Sequence, residues 1–171
     1  SRGVKKDMHV GLHLFNGNAF LEAMLAILKI RAVPINLNYR YVATELEYLI
    51  ENADLVALVS QSEFAPMLGE ACTGKEKLKT LVFADGLVSL SGLDCFDYET
   101  VLSQNDPARN FEPRSSDDIY IIYTGGTTGM PRGVMWRHED VFFAGLQGGS
   151  THGEPVERPE ELAEWVKDGD L

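Results

Sequence analysis

One segment of the chain combines glycines, hydroxyl side chains and a cation at close spacing. It covers residues 123–133 and reads YTGGTTGMPRG. Glycines let backbone N–H groups approach an anion without interference from a Cβ atom, threonine hydroxyls are further donors, and an arginine supplies a fixed positive charge. This combination predicts a loop that binds phosphate groups.

The candidate contacts within this loop fall into two groups. The side chains expected to contact phosphate directly are those of Thr124, Thr127, Thr128 and Arg132. The glycines expected to give the backbone its shape are Gly125, Gly126, Gly129 and Gly133. The preceding run, residues 119–123, has the β-branched and aromatic character of a buried strand. The loop would then lie at the carboxyl end of a strand, which is where open α/β sheets bind ligands.

Two familiar phosphate motifs, G-x-x-x-x-G-K-[ST] and G-x-G-x-x-G, cannot be written through these positions. The segment instead resembles the signature of the adenylate-forming superfamily of acyl-CoA synthetases, nonribosomal-peptide adenylation domains and luciferases. The usual form of that signature is YTSGTTGxPKG, from which this chain differs by Gly125 for serine and Arg132 for lysine. Arginine keeps the charge in a planar fork, so we expect phosphate contact to persist. The alternative, an ordinary flexible turn, is opposed by the number of ordered matches directly after a strand.

The resemblance extends upstream of the loop. Residues 28–38 are similar to the second core motif of the superfamily, and residues 10–18 to its first strand and the following turn. Residues 36–41 and 133–140 resemble fatty-acid or steroid-acid CoA ligases in particular. The later motifs of the superfamily, which carry the magnesium-binding glutamate, the nucleoside contacts, the hinge and the catalytic lysine, find no match.

The resemblance therefore implies a partial N-terminal AMP-binding α/β domain, residues 1–148, followed by an acidic tail or surface segment, residues 149–171. It implies a parent enzyme that uses ATP, Mg²⁺ and coenzyme A to activate a carboxylic acid, a fatty or steroid acid, as an acyl-adenylate and then transfer it to the thiol. No catalytic residue and no metal ligand is identified in this chain, which we expect to be inactive alone. Two alternatives stay open: a short nucleotide-binding module without catalysis, and a structural remnant without a ligand.

The composition limits the classes of function. The 171 residues are 44% hydrophobic and 24% charged, which is typical of a globular domain with a core. The formal net charge of −11 opposes binding to nucleic acid or to an anionic membrane. No apolar run reaches the ~18 residues of a transmembrane span, and Cys72 and Cys95 lack the spacing of a metal site or disulfide scaffold. We therefore expect a cytoplasmic protein.

Strand and helix patterns alternate along the chain, which predicts an α/β fold with a largely parallel sheet and flanking helices. Strands are predicted at 10–15, 33–37, 55–59, 80–84, 119–123 and 133–136. Helices are predicted at 19–30, 44–51, after Ser60, at 97–103, 139–146 and after Pro159. Capping-box patterns, beginning at Thr44 and Ser60, mark two of the helix starts. A parallel sheet cut at its edge would expose apolar faces, so self-association is also expected.

Several other residues have side chains that could bind a metal ion or a ligand, and for these we expect structural roles or leave the choice open. His138, Glu139 and Asp140 are consecutive, so their side chains point in different directions and are expected to start a helix rather than bind an ion. The remaining histidines show no ligand spacing, and we expect surface or core roles for His9, His13 and His152. An acyl pocket and core packing explain three aromatic residues equally well: Trp136, Phe142 and Phe143.

Overall fold

The computed structural model of the chain describes residues 3–106, 108, 111–126, 129–146, 148 and 156–168, with the backbone alone at 126, 166 and 168. The strands are β1 (His9–His13), β2 (Val33–Asn36), β3 (Leu55–Ser60), β4 (Thr80–Phe83), β5 (Asp94–Asp97), β6 (Ile119–Gly126) and β7 (Gly129–Arg137). The helices are α1 (Asn18–Lys29), α2 (Ala43–Asn52), α3 (Ala65–Ala71), α4 (Tyr98–Ser103), α5 (His138–Asp140) and α6 (Pro159–Asp168). A 3₁₀ turn, Ser62–Phe64, precedes α3, and a π-helical turn, Val141–Gly145, continues α5.

The seven strands form one sheet in the order β5-β4-β3-β1-β2-β6-β7. Every neighbouring pair from β5 to β6 is parallel, and only β7 runs antiparallel to its neighbour. The predicted α/β fold with a largely parallel sheet is therefore confirmed. Because parallel strands need crossover connections, helices cover both faces of the sheet.

Two apolar clusters fill the space between the sheet and its helices. The larger one joins β2, β3, β4 and β6 to α2 and α3, and its centre holds Leu46, Leu49, Leu58 and Phe83, each fully buried. The smaller one lies under α1 on the opposite face and includes Leu12 and Ile27. Strands β3 and β4 contribute to both clusters, because successive side chains of a strand point to opposite faces of the sheet.

The predicted helix starts at Thr44 and Ser60 are wrong in their capping residues. Helix α2 begins at Ala43, and the Glu45 carboxylate accepts a hydrogen bond from the N–H of Val42 at 3.0 Å. Valine has no side-chain acceptor, so only this half of a capping box forms. Ser60 belongs to β3 instead, because its fully buried hydroxyl hydrogen-bonds His13. Asp97, where a helix is predicted to begin, caps α4, because its carboxylate accepts a hydrogen bond from the N–H of Thr100 at 2.8 Å.

Two strands and the residue Leu146 also differ from what the sequence predicts. Strand β5 was not predicted, because its sequence DCFD carries two aspartates, a residue type depleted in strands. Strand β7 begins at Gly129, four residues before the predicted start, since it continues the ladder with β6. Leu146, at the end of the predicted helix 139–146, has 60% of its surface exposed. No helix in the described part of the chain is long and apolar enough to cross a membrane.

Candidate functional site

The glycine- and threonine-rich segment forms the tip of an antiparallel hairpin. Strands β6 and β7 pair from Ile119 opposite Arg137 to Thr124 opposite Arg132, and again at Gly126 opposite Gly129. Between these last two pairs, one residue of β6 stands against two of β7, which is the arrangement of a β-bulge. Thr127 and Thr128, predicted phosphate contacts, lie outside the described residues. The sequence predicts a loop between two strands, whereas the structure extends both strands into the segment, so that residues 123–126 belong to β6 and residues 129–133 to β7.

Thr124 and Arg132 are direct cross-strand partners, so their side chains leave the hairpin on the same face, about 5 Å apart at Cβ. Both residues are exposed. Among the described residues, no ion pair occupies the Arg132 guanidinium. Within the described part of the hairpin, a hydroxyl and a cation without an ion-pair partner thus lie side by side, which is a donor pair suited to a phosphate oxygen.

The glycines of the segment differ in the space around them. Among the described residues, a Cβ atom built on Gly125 or on Gly129 would meet nothing within 4 Å, and neither glycine has a positive φ. A Cβ on Gly133 would lie 3.1 Å from both Ile121 Cγ2 and Tyr123 Cε2. Packing therefore explains glycine at 133, whereas at 125 and 129 the open side of the backbone stays available to a ligand.

Helix α2 contacts both arms of the hairpin, and sequence analysis missed these contacts. The phenol of Tyr48 donates to the carbonyl of Pro131 at 3.1 Å, and the phenol of Tyr123 donates to Asn52 Oδ1 at 2.8 Å. Burial raises the pKa of Tyr123, so its phenol remains a donor at neutral pH. A Tyr-x-x-x-Asn spacing on a helix face is common, and only the fold brings it to the loop.

The base of the hairpin is held by a buried ion pair. Arg31, which follows α1 with φ near 60°, donates two hydrogen bonds to Asp118 Oδ1 at 2.7 and 3.0 Å. Burial alone would raise the pKa of Asp118, but the hydrogen bonds from Arg31 and from the N–H of Ser115 outweigh it and lower that pKa. The backbone of Asp118 also accepts from the N–H of His138 at 2.9 Å. The start of β6 and the end of β7 are therefore tied together at one point.

The consecutive polar residues after β7 form no metal site. Asp140 accepts two hydrogen bonds from Arg137, at 2.8 and 3.0 Å, and His138 begins α5. Over the described ranges, no group of three or more histidine, cysteine or acidic residues could hold a metal ion. The helix-start interpretation of His138, Glu139 and Asp140 thus agrees with the geometry.

A second polar group lies at the carboxyl ends of β1 and β3. His13 is fully buried, its Nδ1 is 3.2 Å from Ser60 Oγ, and Ser60 donates to the His13 carbonyl at 3.1 Å. The serine hydrogen is thus used, so Nδ1 carries the imidazole proton. Burial lowers the pKa of His13 to about 4. Its Nε2 finds no hydrogen-bond partner among the described residues. His13 is therefore a neutral residue of the core, with one ring nitrogen left without a partner among the described residues.

Comparison with known proteins adds the wider context. A family model described as "AMP-binding enzyme" matches residues 1–161. A 3-oxocholest-4-en-26-oate–CoA ligase from Rhodococcus rhodochrous is 44% identical over 98% of this chain and 29% of that protein. A medium/long-chain-fatty-acid–CoA/3-oxocholest-4-en-26-oate–CoA ligase from Mycolicibacterium smegmatis is 45% identical over 95% of this chain and 30% of that protein. The chain thus spans about 30% of the length of these curated relatives.

Two solved structures of CoA ligases share the fold of this chain over most of its length. A long-chain-fatty-acid-CoA ligase from Archaeoglobus fulgidus matches with a TM-score of 0.70 and 27% identity, over 85% of this chain and 28% of that one. An anthranilate CoA ligase, solved in complex with anthranoyl-AMP, matches with a TM-score of 0.76 and 23% identity, over 86% of this chain and 28% of that one. The second likeness concerns the fold alone.

Proposed function

Because this chain belongs to the AMP-binding enzyme family, we propose that it is part of an ATP-dependent acid–CoA ligase whose phosphate-binding loop is the tip of the β6–β7 hairpin. The observation that carries the proposal is the pairing of Thr124 with Arg132 next to Gly125 and Gly129, where a Cβ atom would meet no other described residue within 4 Å. Donors and a cation around open space are what a polyphosphate requires.

In the reaction proposed for the longer protein, a carboxylate oxygen of the acid bonds to the α-phosphorus of ATP. The bond from that phosphorus to its bridging oxygen breaks, and pyrophosphate leaves. The sulfur of coenzyme A then bonds to the acyl carbon, the thiol proton is lost, and AMP leaves with the electron pair of the broken C–O bond. Negative charge grows on the leaving phosphates in the first step, so donors that bind pyrophosphate stabilise it electrostatically.

The residues of this chain divide the work of binding. The hydroxyls of Thr124, Thr127 and Thr128 and the guanidinium of Arg132 would bind phosphate oxygens directly. Backbone N–H groups at Gly125, Gly126 and Gly129 would complete the cradle, and Gly133 lets β7 pack against Tyr123. A catalytic acid or base is not assigned within the chain.

The substrate is proposed to be a fatty or steroid acid. Support comes from the two bacterial relatives, whose names give a steroid acid in one case and both acid types in the other. Coenzyme A is the proposed acceptor. Mg²⁺ would neutralise phosphate charge, but the described residues do not fit a metal site, so its ligands belong to other parts of the proposed ligase.

Residues 1–148 are proposed to be part of the AMP-binding domain, and residues 149–171 an acidic tail or surface segment. The complete enzyme is proposed to be cytoplasmic, and the isolated chain to be inactive. It is also proposed to self-associate through the apolar side chains that the hairpin exposes. These include Ile122, Val134, Met135 and Trp136, at 40 to 71% exposure. Size-exclusion chromatography of the isolated chain should then give species larger than 18.9 kDa, and a clean monomer would contradict this.

The proposed activity is tested on the full polypeptide that the gene produces, after its intact mass has been measured. Wild-type protein should exchange pyrophosphate into ATP when a fatty or steroid acid is present. Serine substitution at two glycines then tests whether the hairpin tip binds the phosphates. Gly129→Ser should abolish exchange, because the new side chain enters the space proposed for phosphate, whereas Gly125→Ser, which restores the residue usual in the superfamily, should retain it.

At both positions a Cβ atom would meet no described residue within 4 Å, so both variants should keep wild-type stability. Equal exchange in the two variants would remove the hairpin tip from the phosphate site. A polypeptide of this length that binds ATP without exchange would instead support the non-catalytic nucleotide-binding module, and one that binds no ATP would support a structural remnant.

A further inference from the structure

We propose that helix α2 is the positioning element of the phosphate-binding loop, and that it acts through the side chains of Tyr48 and Asn52. The inference rests on the proposed function of the hairpin. It concerns residues outside the glycine- and threonine-rich segment, which the loop sequence itself does not indicate.

Tyr48 meets β7 at one particular residue. Its phenol lies 3.1 Å from the carbonyl oxygen of Pro131, which directly precedes Arg132. Pro131 is buried, whereas every other residue of β7 is exposed. The strand that carries the cation of the site is therefore anchored to the rest of the protein beside that cation.

The anchor coincides with the weakest part of the hairpin ladder. Gly125 of β6 stands against both Met130 and Pro131 of β7, so regular pairing is interrupted there. Proline also has no N–H to donate to a ladder. The bond from Tyr48 thus holds the β7 arm where the two strands do not hold each other.

Asn52 does the same for the other arm. It lies one helical turn after Tyr48, on the same face of α2, and its Oδ1 accepts from the Tyr123 phenol at 2.8 Å. Tyr123 directly precedes Thr124 on β6. One helix therefore contacts both strands, each time at the residue before a proposed phosphate contact.

The helix is a rigid support for this role. Leu46, Leu49 and Ile50 of α2 are at most 2% exposed and belong to the larger core cluster. A packed helix cannot shift without disturbing that cluster. Through Tyr48 and Asn52, the hairpin is thus hydrogen-bonded to a helix that the core holds in place. The loop consequently has less conformational freedom to lose when it binds ATP.

The test compares Tyr48→Phe with Tyr98→Phe in the full polypeptide. Each change removes one phenol hydroxyl, and Tyr98 donates to Glu22 at 2.6 Å in the smaller cluster, away from the hairpin. We expect Tyr48→Phe to raise KM for ATP about threefold to tenfold while KM for the acid changes less than about twofold. Tyr98→Phe should lower the melting temperature and leave both KM values unchanged.

Hydrogen exchange of residues 129–133 without nucleotide provides a readout that does not depend on activity. Tyr48→Phe should accelerate exchange there, and Asn52→Ala should accelerate exchange at 123–126, whereas Tyr98→Phe should do neither. Unchanged exchange and unchanged KM for ATP in Tyr48→Phe would overturn the positioning role. Absence of ATP binding by the wild-type protein would overturn the proposed function, and the inference with it, even if exchange responded as expected.

Discussion

Gly133 lies directly opposite Tyr123 in the β6–β7 hairpin, and a Cβ atom on Gly133 would come within 3.1 Å of the tyrosine ring. The same ring donates its hydroxyl hydrogen to Asn52 at 2.8 Å. The tyrosine is thus fixed at its far end by α2 and covered at its near edge by the glycine. A side chain at position 133 would have to displace the Tyr123 ring, whose hydroxyl is held by its hydrogen bond to Asn52.

Gly133→Ala is therefore expected to lower the free energy of unfolding by about 1 to 2 kcal/mol, the usual cost of overpacking. Gly129→Ala is the matched control, because its Cβ would meet nothing within 4 Å, and we expect a change smaller than about 0.5 kcal/mol. Urea denaturation of both variants measures the difference. Equal effects at the two positions would contradict the packing assigned to Gly133.

The charge of Arg132 is expected to contribute directly to ATP affinity. Arg132→Met should weaken binding of Mg-ATP by about tenfold to a hundredfold, because a charge-assisted hydrogen bond is lost. Arg132→Lys, which restores the residue usual in the superfamily signature, should stay within a few-fold of wild type. Isothermal titration calorimetry on the full polypeptide measures both, with Arg158→Met as a control for the loss of an exposed arginine outside the hairpin. Unchanged affinity in Arg132→Met would exclude phosphate contact by this side chain.

The ion pair at the base of the hairpin should matter far more than an exposed pair of the same chemistry. Asp118 is 4% exposed and pairs with Arg31, whereas Asp54 is 60% exposed and pairs with Lys77 at 2.6 Å. We expect Asp118→Asn to lower the free energy of unfolding by about 2 to 4 kcal/mol and Asp54→Asn by less than about 0.5 kcal/mol.

The pKa of Asp118 is lowered in the folded protein, so its contribution is present above the unfolded pKa and is lost as pH falls through the folded value. Thermal unfolding of the wild-type protein and the two variants is measured at neutral and at acidic pH. The destabilisation caused by Asp118→Asn should be smaller at acidic pH, where the wild-type carboxylate also loses its charge. A smaller loss in Asp118→Asn than in Asp54→Asn would show that the pair does not hold the hairpin base.

His13 should make the protein less stable in mild acid. Its pKa is lowered from 6.5 to about 4 by burial, so between these pH values the unfolded chain binds a proton that the folded chain excludes. Stability from this group is fully present above pH 6.5 and declines as pH falls towards 4, by up to about 3 kcal/mol. Denaturation curves from pH 7 to pH 4 measure the slope, and His13→Asn should flatten it. An NMR titration that gave His13 an ordinary pKa would contradict this.

The amino-acid sequence by itself determined the type and order of most elements. Period-2 and period-3.6 patterns depend on local geometry, so β1 to β4 and β6, and helices α1, α2 and α4, lie within a few residues of their predicted positions. The sequence also supplied the prediction of a phosphate-binding loop, because glycine, threonine and arginine keep their chemical properties in any fold. Strand β5 was missed for the opposite reason: its DCFD sequence has little strand propensity, and pairing with β4 decides its conformation.

Only the tertiary structure decided how these parts meet. It placed Thr124 beside Arg132 through the register of a hairpin, and brought Tyr48 to Pro131, 83 residues later in the chain. It also made Ser60 a partner of His13 rather than a helix cap. Such contacts depend on strand order and helix packing over long sequence separations, which no local pattern encodes. The sequence supplied the groups proposed to bind phosphate, and the fold supplied the contacts that hold their strands in place.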